Sequence, residues 1–166
     1  MPALVTISVV RDEADLIEAW ARHHAPIATR MIVTLHRSRD GTAEILARLR
    51  EEGLPLDLRA SEAEHYPQRE LSAAMLREAA ASGADWILPL DADEFLAWEG
   101  DLARALDALP ADRAALLPWK TYVPTPEDDP SEPHVLRRIT RRREREEPQF
   151  RKVLIPRALA DAEPEL

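Results

Sequence analysis

Chemistry is concentrated most densely where Trp86-Ile87-Leu88-Pro89-Leu90 runs straight into Asp91-Ala92-Asp93-Glu94-Phe95. Asp91 and Asp93, one residue apart, offer the hard oxygen donors that suit Mn2+ or Mg2+. A pair of this kind leaves coordination positions for water and for the phosphates of a substrate. Three adjacent acids also repel one another, and a divalent ion relieves that repulsion. An Asp-x-Asp by itself is equally compatible with a turn and a helix cap. Its position after a mainly apolar, strand-like run favours a site, because ligands of open α/β sheets bind outside the carboxyl ends of the strands.

Further candidates sit at corresponding places in the chain. Arg11-Asp12-Glu13 follows the first apolar run, and His36 ends the second. Asp40 lies in the turn Ser38-Arg39-Asp40-Gly41-Thr42, and Gln68-Arg69 opens a later helical stretch. Each has a plainer reading beside the functional one. Asp12 and Asp40 are also ordinary helix caps, and Arg69 is also a solvated arginine. His23 and His24, adjacent on a helix, are not expected to face one site and read as packing or a cap. His134 is a weak candidate for a third metal ligand. Trp20, Trp86 and Trp119 read as core, although Trp119 and Tyr122 could instead stack on a sugar face.

The elements that must position these residues follow from hydrophobic patterning. Residues 3–10 are apolar and β-branched, as in a strand buried on both faces. Leu16, Trp20 and His24 then mark an amphipathic helix reaching about Ala25, with Asp12 as its expected cap. A second strand covers residues 31–36, and a second helix is expected to stop at Gly53. A less regular third strand covers 54–60, and a third helix runs from Pro67 to near Gly83. The fourth strand, 86–90, delivers Asp91, and a short helix around Leu102 and Leu106 follows. A fifth strand is expected over 114–123 and a last one over 150–155. This alternation predicts a three-layer α/β/α fold with a mainly parallel sheet.

Composition narrows the possibilities. The chain has 166 residues, 45% of them hydrophobic, a net charge of −9, 4 glycines and no cysteine. That excludes disulfides and thiolate chemistry. Neither GxGxxG nor GxxxxGK[ST] occurs. No apolar run approaches the roughly 18–20 residues that span a bilayer, and the amino-terminal stretch lacks the pattern of a signal peptide, so a cytoplasmic location is expected. Residues 137–152 hold eight basic groups against three acids, a net of +5, so the remainder carries −14. An acidic body disfavours nucleic acid, whereas the basic segment suits a local anion such as a diphosphate and is expected to form an anion-facing flap. Arginines outnumber lysines 20 to 2, read here as composition bias.

The segments RDEADLIEAWARHH (11–24), SRDGT (38–42) and ADWILPLDADEFL (84–96) resemble the family 2 glycosyltransferases, most closely a small bacterial branch with a D-x-D-E-F motif. The resemblance covers residues 4–123, with a fainter echo to Arg157 in RKVLIPR. It implies the GT-A fold and a nucleotide-sugar donor, UDP-linked by expectation, whose diphosphate is held through Mn2+ or Mg2+. It makes Asp93 the direct metal ligand and Asp91 a partner of the metal or the ribose, with Glu94 the candidate catalytic carboxylate. Arg11, Asp12, Glu13, His36, Asp40 and Arg69 would border the nucleotide. Glu127, Asp128 and Asp129 are further carboxylates near the expected face. The pattern is departed from in two places: Asp12 stands for the usual Asn, and His36-Arg37 stands where relatives carry an Asp. Residues 1–123 are expected to form the nucleotide-sugar-binding domain, completed by an acidic, proline-rich loop and a basic segment over 124–166. The predicted activity is metal-dependent transfer of a sugar to an acceptor hydroxyl. The alternative is a non-catalytic GT-A-like nucleotide-binding module.

Overall fold

The computed structural model describes residues 2–147 and 151–162. Its strands are β1 (Leu4–Val10), β2 (Arg30–His36), β3 (Leu56–Ser61), β4 (Trp86–Pro89), β5 (Ala115–Pro118) and β6 (Arg151–Pro156). Its helices are α1 (Ile17–His24), α2 (Thr42–Glu51), α3 (Gln68–Ala81), α4 (Leu102–Asp107), α5 (Val135–Arg138) and α6 (Arg157–Ala162). The strands form one mixed sheet in the order β3-β2-β1-β4-β6-β5. β1 to β4 are mutually parallel, while β6 runs antiparallel to both β4 and β5.

β1 is buried along its whole length, as expected of a central strand covered on both faces. Its side chains alternate between two cores. Leu4 and Val10 join Ile17, Trp20, Leu46 and Leu49 under α1 and α2. Val5, Ile7 and Val9 join Met75, Leu76, Ala79 and Ala160 under α3 and α6. The three-layer α/β/α arrangement thus follows from strand periodicity meeting helices that each carry one apolar face.

Several elements differ from the sequence expectation, and the short helices α5 and α6 were not expected at all. α1 begins at Ile17, with Leu16 rather than Asp12 at its N-cap, because Asp12 has a left-handed φ of 54° and its carboxylate is engaged elsewhere. β5 is short and lies at the sheet edge beside β6. Past Pro118 the chain leaves the sheet, so Trp119 (39% exposed) and Tyr122 (51% exposed) lie outside the core, unlike Trp20 and Trp86. The last strand is described over Arg151–Pro156; Phe150, its expected first residue, lies outside the described residues.

Gly53 ends α2 with a φ of 96° and open space around a hypothetical Cβ. Gly53→Ala therefore meets backbone strain without a clash. It should cost about 1 kcal/mol, read as a melting temperature lowered by roughly 2–4 °C. An unchanged melting temperature would contradict the left-handed conformation.

Candidate functional site

Because β1, β2 and β4 are parallel, the segments that follow them leave the sheet at one edge. The first two are sewn together by backbone and carboxylate. The Asp12 N–H donates to Ser38 Oγ at 3.2 Å, and the Arg39 N–H donates to Asp12 Oδ1 at 2.6 Å. The Glu13 N–H donates to Thr42 Oγ1 at 2.8 Å, and the Ala14 N–H donates to Asp40 Oδ2 at 3.0 Å. Asp40 also accepts from the Thr42 N–H and hydroxyl. These bonds, the Thr42 hydroxyl foremost, hold its carboxyl below the usual range. The N-cap of α2 is Gly41, so Asp40 links two loops as well as closing its own turn. Asp12 and Arg37, with φ of 54° and 50°, take left-handed conformations that side chains other than glycine adopt at a cost.

The third segment carries the acidic triplet. The Leu90 N–H donates to the Ile7 carbonyl at 3.0 Å, beyond which the chain turns away from the sheet. The Asp91 N–H donates to Glu94 Oε2 at 2.9 Å, and the Glu94 N–H donates to the Asp91 carbonyl at 3.1 Å. This reciprocal pair closes the turn and leaves Asp93 exposed at its tip. Lys152 Nζ stands 3.2 Å from Asp91 Oδ2 and 2.5 Å from Glu94 Oε2. Gln68 Nε2 reaches Asp91 Oδ1 at 3.4 Å. Glu94 is largely buried, and that burial raises its pKa against the opposing pull of Lys152 and the Asp91 N–H. Its Oε1 is buried and has no hydrogen-bond partner among the described residues.

The edge is strongly negative. The Glu13 carboxyl is pushed upward first by partial burial and then by the charges of Asp93, Asp15, Asp40 and Asp91. Carboxylates from all three segments therefore act on one point. Among the described residues no three His, Asp or Glu side chains form a complete metal cage. A hard divalent cation nonetheless fits the donor set: two carboxylates one residue apart, in a field that favours positive charge and leaves coordination positions open.

A second contact set holds this turn from behind. His24 is fully buried, and its Nδ1 lies 2.8 Å from the Trp20 carbonyl, so the proton sits on Nδ1. Nε2 is then an acceptor, and it takes the Leu96 N–H at 3.1 Å. His23 Nε2 lies 2.8 Å from the Leu96 carbonyl and donates to it. The adjacent histidines thus hold both polar groups of one residue, two positions after Glu94. They were not expected to share a target, since neighbours on a helix point apart. They do so because an N–H and a C=O of one residue also point apart. Phe95 packs against both rings at 5.4 and 6.0 Å.

The remaining candidates are more scattered. His36 is buried at the end of β2, with Nδ1 3.4 Å from Ser61 Oγ and its ring 5.0 Å from that of Tyr66. Tyr66, half-exposed, donates its hydroxyl to the Val9 carbonyl at 3.3 Å. Arg11 pairs with Asp12 at 3.5 Å, and Arg69 is exposed in the first turn of α3. The loop carboxylates are engaged locally: Glu127 with Arg141, Asp128 with Thr125, and Asp129 with Ser131. His134 opens α5 and hydrogen-bonds through its N–H to Glu132. The basic segment reaches the acidic turn through Lys152, and Arg142, Arg143 and Arg151 help line a cavity of about 350 Å3 with Trp119 and Lys120. That cavity lies past the carboxyl end of β5, on the edge that carries Asp91. Sequence reasoning missed Lys152 and Tyr66 as neighbours of the site, and named Gln68 only beside Arg69. One signal existed for Lys152: a lysine is the rarity in a chain with 20 arginines.

Glycosyl transferase family 2 matches residues 12–158. No curated protein matches the chain in sequence. Among solved structures, the mannosyltransferase PcManGT from Pyrobaculum calidifontis, in complex with GDP-Man and Mn2+, is 25% identical with a TM-score of 0.54. That match covers 68% of this chain and 34% of the mannosyltransferase, so the chain spans about a third of that enzyme's length. S. aureus TarS 1-349 is 18% identical over 56% of this chain and 28% of its own, with a TM-score of 0.45. 4-Diphosphocytidyl-2C-methyl-D-erythritol synthase is 13% identical over 97% of this chain and 78% of its own, with a TM-score of 0.48. None of the described helices is long and apolar enough to cross a membrane. With the GT-A-type sheet and the extent of the family match, the chain belongs to glycosyl transferase family 2.

Proposed function

We propose that this chain binds a nucleoside-diphosphate sugar at the carboxyl edge of β1, β2 and β4 and transfers the sugar to an acceptor hydroxyl with the help of a divalent ion. The observation that carries this reading is the Asp91-Ala92-Asp93 turn, set in the shared negative field of Glu13 and Asp40. Asp93, exposed at the tip, and Asp91 would hold Mn2+ or Mg2+. When bound, such an ion stabilises the negative charge that develops on a leaving diphosphate.

The chain's own groups have separable tasks in this reading. Asp12 and Asp40 lock the first two segments together, which fixes Arg11 and Glu13 beside the nucleotide. His36, covered by Tyr66, borders the position expected for the base, with Arg69 near the phosphates. Glu94, the candidate catalytic carboxylate, holds the Asp91 turn in the free chain through the Asp91 N–H and Lys152. The acceptor would enter at the cavity lined by Trp119, Lys120 and Arg142. Donor binding falls to residues 1–123, and 124–166 completes the edge through β6. The donor is a UDP-linked sugar or the GDP-linked kind found in the complex of the mannosyltransferase PcManGT.

Titration calorimetry with UDP and GDP, with Mn2+ and with chelator, tests the reading. One nucleotide should bind at least about tenfold tighter with Mn2+, equivalent to about 1.4 kcal/mol. Turnover of the matching nucleotide-sugar should follow. Nucleotide binding indifferent to Mn2+, with no turnover, would leave only the non-catalytic module.

A further inference from the structure

The acidic turn already contains a cation. Lys152 places its ammonium 3.2 Å from Asp91 Oδ2 and 2.5 Å from Glu94 Oε2, with its side chain only 20% exposed. It arrives there because β6 runs against β4. Trp86 pairs with Pro156 and Ile87 with Ile155, and continuing that register puts Lys152 beside Leu90, one residue before Asp91. An antiparallel strand thus delivers its first residues to the edge where the parallel strands end.

We propose that Lys152 is a resident counter-ion of the site, which keeps divalent metal weakly bound until a nucleoside diphosphate arrives. This inference rests on the reading of Asp91 and Asp93 as metal ligands. In the free chain an ion bound at Asp91, through either oxygen, shares its carboxylate with the ammonium at Oδ2, and two positive charges on one carboxylate repel. A lysine suits the exchange better than an arginine. Its charge is a compact point on a flexible stem, able to leave a carboxylate for a phosphate oxygen. The anionic diphosphate gives Lys152 a second partner and so frees Asp91. Metal and nucleotide then bind cooperatively, each strengthening the other by the same factor. Glu94 keeps the turn closed during the exchange, because its Oε2 is also held by the Asp91 N–H at 2.9 Å.

The test is Mn2+ binding by electron paramagnetic resonance of the free ion, on folded full-length chain, with and without UDP or GDP. Without nucleotide, Lys152→Met should bind Mn2+ about tenfold tighter than wild type, and Lys152→Arg should behave as wild type. Nucleotide should strengthen Mn2+ binding in wild type much more than in Lys152→Met. Far-UV circular dichroism checks the fold, and Lys152→Gln serves if the methionine variant does not fold. Nucleotide-stimulated Mn2+ binding with equal nucleotide-free affinities in wild type and the neutral variant would overturn the counter-ion role alone. No Mn2+ binding by any variant, with or without nucleotide, would overturn the metal reading and this inference together.

Discussion

Asp93→Ala is expected to remove the Mn2+-dependent part of nucleoside-diphosphate binding and to leave the fold in place. Asp93 stands exposed at the tip of the turn, and among the neighbouring carboxylates it acts most strongly on Glu13. Losing it deletes a hard oxygen donor and weakens the negative field together. The Mn2+-dependent gain in affinity, expected to be tenfold or more, should vanish. Exposed substitutions of this type usually change stability by less than about 0.5 kcal/mol, so the melting temperature should barely move. A second readout needs no ligand. With Asp93 gone, the Glu13 carboxyl should titrate closer to its ordinary value in an NMR pH series, yet still above it, because burial and the other three acids remain. Retained Mn2+ dependence, with Glu13 unmoved, would mean that Asp93 does not face the site.

His24 gives the largest expected effect on stability. Burial pushes its pKa from 6.5 down to about 4, partly offset by the hydrogen bond to the Trp20 carbonyl. The sign follows from proton counting. Between pH 6.5 and 4 the unfolded chain binds a proton that the folded chain refuses, so stability falls as pH falls through that window. The contribution is complete above pH 6.5 and lost by about pH 4, on the order of 3 kcal/mol. Protonation also removes the Nε2 lone pair that accepts the Leu96 N–H, and so loosens the backbone just after Asp93 and Glu94. His24→Phe fills similar space but has neither the acceptor nor the titration. It should cost about 1–3 kcal/mol at neutral pH, for a buried N–H left without its partner. Its urea-unfolding stability should then fall less steeply than wild type between pH 6.5 and 4. The acid-sensitive pairs of Glu18, Glu52 and Glu78 are common to both proteins, so the difference isolates His24. Parallel slopes would refute this account of the histidine.

Much of the architecture was legible because burial writes itself into residue order. The β-branched, mainly apolar run 3–10 announced a strand covered on both faces, and Gly53 and Gly83 marked the ends of α2 and α3. Asp91, Asp93 and Glu94 were legible as a cluster because they follow a buried strand directly. The resemblance of three ordered motifs supplied the family, and the match over residues 12–158 agrees with it.

Other features depend on chain segments far apart, and no local pattern encodes them. Asp12 read as a helix cap because aspartate before an amphipathic stretch usually is one. Its competing partner, the Arg39 N–H, lies 27 residues away. The histidine pair read as packing because the Leu96 backbone that they hold lies more than 70 residues on. Lys152 was one charge among eight in a basic run until the reversal of β6 carried it to Asp91. Sequence alone determined which residues could do chemistry and which elements would carry them, since both follow from side-chain type and periodicity. Only the tertiary structure decided which charges meet, because an ion pair is set by distance in space, and strand direction and register determine that distance.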